Sequence, residues 1–304
     1  MAQHITVTDY QPQWPEKYRE EEALLREILG ENCLAVYHIG STSVPGLAAK
    51  PILDIMPVVK SLEAVDAAAK NLEAAGYEYL GEFGIRGRRY LRKGGEERTH
   101  QVHIFAWSDE ENIRRHLAFR DFLRTHGKER EEYAALKRSL AQQFHYDIDG
   151  YCNGKDSFVK RLEQQALTQY DGVWDDLYLA ARRVQKGRAV SPFVEAGGVA
   201  AAILTASGRV YTGVCIDTAC SLGMCAERNA IASMITSGES RIARVVAIQE
   251  DGRIALPCGA CREAIRQLNP GNEDTQILLD LNDRKTAPLR QLLPDWWGAG
   301  RELS

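Results

Sequence analysis

Three cysteines and one glutamate concentrate the chemistry of this sequence. "GMCAERNAI" (223–231) carries Cys225 and Glu227; "LPCGACREAI" (256–265) carries Cys258 and Cys261, the first of them 33 positions after Cys225. Both stretches read as helix starts, with one helix and one strand between them, enough chain to set the two starts side by side. Exposed amides and the helix dipole favour thiolates at such positions. Three thiolates suit tetrahedral zinc and leave a fourth position for water, the mark of a catalytic rather than a structural site. Glu227, two residues after Cys225, can exchange a proton with that water without ligating the metal. Two alternatives stay open at this point. Cys215 or Cys220 could complete a structural site of four thiolates, and Cys258 with Cys261 could be a redox pair.

A second candidate lies near the N-terminus, in "HIGSTSVPGLAAKPILDI" (38–55). The Gly40-Ser41 turn opens a short helix whose backbone N–H groups face a phosphate. Asp54, on the next strand, can hold Mg²⁺ against that phosphate. Lys50, Arg86, Arg88 and Arg89 are nearby cations that could neutralise it, or solvated surface charges.

The elements that must position these residues fall into two groups. In the first, 15–29 reads as an amphipathic helix with proline in its first turn. Strands are expected at 33–39 and 52–59, a helix over 61–75, and strands at "RRYLRK" and "HQVHIFAW". A charged helical stretch follows from Asp109 to about Phe144, broken near Gly127, and a helix over 155–167. This is an α+β pattern. The polar segment "TQYDGVWDD" places a boundary near Tyr170, dividing the chain into domains 1–170 and 171–304. The second group runs helix (174–186), hairpin ("VAAAILT" and "RVYTGV"), helix (225–236), strand (243–249), helix (259–268) and strand (275–281), which implies an α/β domain with one mixed sheet flanked by helices. Trp296 and Trp297 read either as core aromatics or as a lid over a substrate.

Composition sets outer limits. The 304 residues carry a formal net charge of −4, which argues against long nucleic acid as a partner. No apolar run approaches the ~20 residues of a membrane span, and the start lacks a signal-peptide pattern, so a cytoplasmic protein is expected. Seven cysteines, five of them in the last third, are clustered rather than spread as a disulfide framework. Cys33 and Cys152 read as core or incidental thiols.

Two resemblances join these observations. "CAERNAI" with "PCGACRE", together with "SPF", "GRVYTGV" and "LLPDWWG", is similar to the cytidine deaminase family, and especially to its blasticidin-S-deaminase-like branch. The resemblance implies zinc on Cys225, Cys258 and Cys261, Glu227 as catalytic proton shuttle, Arg228 as a donor that offsets the thiolate charge, and backbone groups near Ala226 and Pro257 holding the base edge. In "GVCID", Cys215 and Asp217 stand where nucleoside-specific members carry an Asn and a Glu against ribose. The implied substrate is a cytosine nucleoside or a related amino-heterocycle, including a modified nucleoside or nucleoside antibiotic. The implied assembly is a homo-oligomer, dimer or tetramer. The N-terminal motif, with "GIRGRRY", "HQVHIFA" and "FRDFLRTHGKEREEYAALKRSLA", resembles the GrpB (UPF0157) family of the nucleotidyltransferase superfamily. It implies a phosphate or metal site at Gly40, Ser41, Asp54 and His103 with Mg²⁺ as a second cofactor, although Met56 occupies the second carboxylate position. Nucleotidyl transfer, nucleotide binding and a structural role stay open for this domain. The competing reading of the whole chain is a nucleotide-binding or regulatory protein with structural zinc and no deaminase activity.

Overall fold

The computed structural model describes residues 4–299, in two compact units, 1–172 and 173–304. In the first, α1 (Trp14–Leu29) precedes β1 (Cys33–Ile39) and β2 (Leu53–Val59). Two short helices, α2 (Leu62–Ala67) and α3 (Ala69–Ala74), follow, replacing the single helix expected over 61–75. Then come β3 (Tyr77–Tyr79), β4 (Arg88–Lys93) and β5 (His100–Ala106), and a helical half of α4 (Glu110–Thr125), α5 (Gly127–Gln143) and α6 (Ile148–Gln169). The strands form one mixed sheet, ordered β1-β2-β5-β4-β3, with β2 and β5 parallel and the other pairs antiparallel. Helix α6 starts seven residues before the expected 155, because Asp147 caps it by accepting the Gly150 N–H at 2.9 Å.

Strand alternation places the first candidate site. Leu53, Ile55, Val102 and Ile104 pack with Trp14, Tyr18, Val65 and Leu72 in one core cluster. Because side chains alternate along a strand, Asp54 on β2 and His103 on β5 turn to the opposite face. A second cluster joins Val44, Leu47 and Ala48, after β1, to Phe122, Tyr133 and Leu162 of the three long helices.

The second unit contains α7 (Val173–Val184), β6 (Arg188–Ser191), β7 (Val194–Thr205), β8 (Val210–Thr218), α8 (Ala226–Thr236), β9 (Ile242–Ile248), α9 (Gly259–Leu268), β10 (Gln276–Asp280), β11 (Lys285–Pro288) and α10 (Leu289–Leu292). Strand β7 pairs antiparallel with β8, β9 and β6; β9 and β10 are parallel, and β11 closes the far edge. Ile203, Ile231, Met234, Val245, Ile265 and Ile277 make the core between the sheet, α8 and α9. The edge strands β6 and β11 were absent from the sequence expectation: all four residues of β6 are exposed, so it has no apolar pattern to read. Among the described residues, no helix is long and apolar enough to cross a membrane.

Candidate functional site

In the second unit, α8 and α9 begin at the two expected cysteines. Cys225 and Cys258 are the N-cap residues of these helices, both with extended backbone (φ −65°, ψ 152° and φ −67°, ψ 170°). Cys261 lies within the first turn of α9. Sγ of Cys225 stands 3.7 Å from Sγ of Cys258, which stands 3.5 Å from Sγ of Cys261, and all three sulfurs lie within 4.8 Å of one another. Around a tetrahedral zinc with Zn–S of about 2.3 Å, neighbouring sulfurs stand roughly 3.8 Å apart, so the donor set fits zinc. Cys261 is buried, Cys225 half-buried and Cys258 exposed, which leaves the site open on one side.

Several contacts hold the two helix starts in place. The residue before Cys225 is tied to β8: the Met224 and Ile216 amides each donate to the other's carbonyl, at 2.8 and 2.9 Å. Asn229 donates from Nδ2 to the Val214 carbonyl at 3.0 Å. Gly213 lets α8 lie directly on β8, since a Cβ there would stand 2.4 Å from the Ala230 nitrogen and 2.5 Å from the Ala226 oxygen. At the other helix, Arg262 donates from Nε to the Pro257 carbonyl at 2.8 Å and from its terminal nitrogen to the Leu292 carbonyl at 2.9 Å.

The electrostatics of the cluster call for a cation. Burial, then the Glu227 carboxylate, pushes the Cys261 thiol well up. Burial, then contact with Cys258, raises Cys225. For Cys258 burial acts the same way but is outweighed by the amide and thiol of Cys261, the Cys225 thiol and the Ala260 amide, so this thiol is lowered. Glu227 is 4% exposed, and no hydrogen bond or ion pair meets its carboxylate among the described residues. Arg228 donates to the Gly223 carbonyl at 3.3 Å while its Nε is buried with no partner.

The remaining expected residues are placed as follows. Ala226 is fully buried as the first residue of α8, and Pro257 is buried just before Cys258. Cys215 sits opposite an irregularity in β7, and its Sγ accepts the Val199 N–H at 3.2 Å. Asp217 is exposed, two residues further along β8. Neither Cys215 nor Cys220 joins the three-thiol group; Cys220 is exposed and lies 3.8 Å from Oγ1 of Thr218. Trp296 and Trp297 are not core aromatics. Trp296 is half-buried and Trp297 exposed, and both indoles donate to the Glu263 carboxylate of α9, at 3.0 and 2.7 Å.

In the first unit, Gly40 follows β1 at φ 65°, and a Cβ there would strike the Asp54 side chain, 2.3 Å from Oδ2. Only glycine lets this carboxylate lie against the turn. Ser41 Oγ accepts from the Lys137 ammonium at 2.9 Å. His103 Nε2 lies 3.9 Å from Asp54 Oδ1, while its Nδ1 stands 3.2 Å from a terminal nitrogen of Arg88. A guanidinium only donates, so Nδ1 is the acceptor and a neutral ring carries its proton on Nε2, toward Asp54. The expected Mg²⁺ gains no support. Among the described residues no further His, Cys, Asp or Glu gathers tightly with Asp54 and His103, and Met56, at the second carboxylate position, is buried apolar core. One carboxylate and an imidazole are a poor match for an ion that prefers oxygen. The expected cations also disperse. Arg89 pairs with Asp66 at 2.6 Å, Arg88 donates to the Phe83 carbonyl at 2.6 Å, and Arg86 is exposed.

Residues 4–165, more than half of the chain, match the model of the family described as GrpB protein. The chain belongs to the GrpB family. Residues 177–273 of this GrpB-family chain match the cytidine and deoxycytidylate deaminase zinc-binding region, so its C-terminal part is a deaminase-like zinc-binding domain. The chain is 45% identical over 162 residues to the UPF0157 protein YqkA of Bacillus subtilis (strain 168), covering 53% of this chain and 47% of that protein. It thus spans about half the length of that relative. The structure of conserved protein GrpB from Enterococcus faecalis is 52% identical with a TM-score of 0.53, covering 54% of this chain and 99% of that one. The cytidine deaminase from Mycobacterium tuberculosis is 30% identical with a TM-score of 0.35, covering 42% of this chain and 99% of that one. What the sequence reading of this GrpB-family protein missed is Lys137. The signal was there: a lysine on the same apolar stripe as Tyr133, Ala134, Leu140 and Ala141 of α5, all buried.

Proposed function

We propose that the second unit is a zinc-dependent hydrolytic deaminase of a cytosine nucleoside or related amino-heterocycle, of the blasticidin-S-deaminase-like type. We further propose that the GrpB unit binds a nucleotide or another phosphate ligand, as a nucleotidyltransferase-like domain. The observation that carries the deaminase reading is the Glu227 carboxylate, 4% exposed, unpaired, and close enough to raise two of the three clustered thiols. A carboxylate without a protein partner, on a buried residue beside three thiols, suits a proton-handling role beside a cation.

Cys225, Cys258 and Cys261 would hold the zinc. When bound, zinc supplies Lewis acidity that lowers the pKa of a ligated water toward ~7. Glu227 takes the nucleophile's proton on its carboxylate and delivers it to the ring nitrogen; it then takes the proton of the newly added hydroxyl, which becomes the carbonyl, and passes it to the leaving amine. The balance is one water consumed, one C–N bond broken, one carbonyl formed and one ammonia released. The Arg228 guanidinium offsets the net negative charge of three thiolates around Zn²⁺. The backbone at Ala226 and Pro257 holds the base edge. Cys215 spends its acceptor on the Val199 amide and offers no paired amide contact to ribose. Asp217 is free to accept from substrate hydroxyls. These two residues favour a modified nucleoside or nucleoside antibiotic over plain cytidine. A structural four-cysteine site is not favoured, because no fourth thiol joins the group. The clustering of five of the seven cysteines in the last third supports work in a reducing compartment such as the cytoplasm.

The test is ammonia release by the full chain from cytidine, deoxycytidine and blasticidin S, with zinc content measured in parallel. Turnover is expected, fastest on blasticidin S. Glu227→Gln should keep its zinc and lose roughly 10²- to 10⁴-fold in rate. Full zinc with no ammonia from any substrate would overturn the deaminase reading.

A further inference from the structure

The GrpB unit buries a lysine that makes no ion pair among the described residues. Lys137 is 2% exposed. Its ammonium donates to Ser41 Oγ at 2.9 Å and lies 4.4 Å from the centroid of the Tyr133 ring. The charges of two further ammonium groups reach it: Lys50, from the segment before β2, and Lys155, from α6, at 5.2 and 5.1 Å from the centroid of one ring, Tyr151. Among the described residues none of the three lysines makes an ion pair. Asp54 is the carboxylate whose charge reaches Lys137 and Lys50, against the opposing charges of Lys155 and Arg138. Burial, then the charge of Lys155, pushes the Lys137 amine down to about 6 despite the attraction of Asp54. An ammonium has three donors, and Lys137 spends one on Ser41. Three lysines from three separate segments thus lie within electrostatic reach of one another, one bonded to the Gly40-Ser41 turn and two sharing the Tyr151 ring.

We propose that Lys50, Lys137 and Lys155 form a receptor for a polyphosphate group, the di- or triphosphate of a nucleotide or a free polyphosphate, held directly by the ammonium groups without a divalent cation. This rests on the phosphate-ligand reading of the first unit and departs from the Mg²⁺ cage that its resemblance implies. The multiply charged anion supplies the missing counter-charge, and charge-assisted hydrogen bonds to Lys137 are strengthened by its burial. Asp54 then orients His103 and moderates the positive field; it is not a metal ligand.

The test is calorimetric titration of the full chain with ATP and with inorganic tripolyphosphate, in EDTA and again in excess Mg²⁺. Both ligands should bind in EDTA. Lys137→Met should weaken binding at least about 10-fold, whereas Asp54→Asn should bind as tightly or more tightly. Lys155→Met, at a half-exposed position, is the second variant should Lys137→Met fail to fold, and it too should weaken both ligands. Tighter binding of ATP than of tripolyphosphate would identify a nucleotide as the source; equal binding would identify the phosphate chain alone. Binding that requires Mg²⁺ and disappears in Asp54→Asn would overturn the proposal and leave the phosphate reading standing. No binding of either ligand in either condition would remove both.

Discussion

Arg228 and two buried histidines show how single residues bear on the two units. The Arg228 Nε is buried without a partner beside the helix start that carries Cys225. If it neutralises the thiolates, Arg228→Met should raise the zinc dissociation constant about 10- to 100-fold in a chelator competition. Unchanged affinity would assign this side chain to packing. In the GrpB unit, burial first, then the charges of Arg124 and Arg120, lowers His38 to about 3. Burial and then His103 lowers His116 to about 3 as well. Both folded values lie below the unfolded value near 6.5. Their contribution to stability is therefore full above that value and is lost as the pH falls toward 3, because the unfolded chain takes up protons the folded one refuses. The urea midpoint of the first unit should drop over this window, and less steeply in His116→Leu; parallel curves for the two chains would assign the acid sensitivity elsewhere.

At the scale of elements, the metal cluster depends on how closely α8 lies on β8. Gly213 sets that approach, since an added Cβ meets backbone atoms of Ala226 and Ala230 that cannot rotate away. Gly213→Ala should cost about 1–3 kcal/mol in urea denaturation and should also reduce zinc content, because the shift is transmitted to Cys225 at the helix start. Stability lost with zinc fully retained would separate the helix seat from the metal site. The same scale explains which elements were readable. Helix α9 matches the expected 259–268 because its apolar positions recur at helical spacing. Strands β6 and β11 lie at sheet edges with little apolar alternation, so only their pairing partners reveal them.

For the whole molecule, each unit has its own apolar clusters, within 1–172 and within 173–304. Expressed separately, the two pieces should each fold by circular dichroism, and the second alone should retain zinc; an unfolded second piece would show that it needs the first. The second unit also exposes Phe193 (72%), Leu222 (81%) and Leu256 (52%). If these cover a homo-oligomer interface, light scattering should give a dimer or tetramer that Leu222→Asp shifts to monomer. A monomeric parent chain would end that reading. The sequence by itself determined the two-domain order, the main helices and strands, and the three thiols with Glu227, because these depend on local periodicity and on motifs whose residues lie within a few positions of one another. Only the tertiary structure decided that Cys215 is turned into the sheet, that among the described residues no other carboxylate gathers tightly with Asp54 and His103, and that Lys50, Lys137 and Lys155 come within electrostatic reach of one another. Those three lysines come from segments far apart in the chain, and a helix pattern shows which face is buried but not which strand or turn it is buried against.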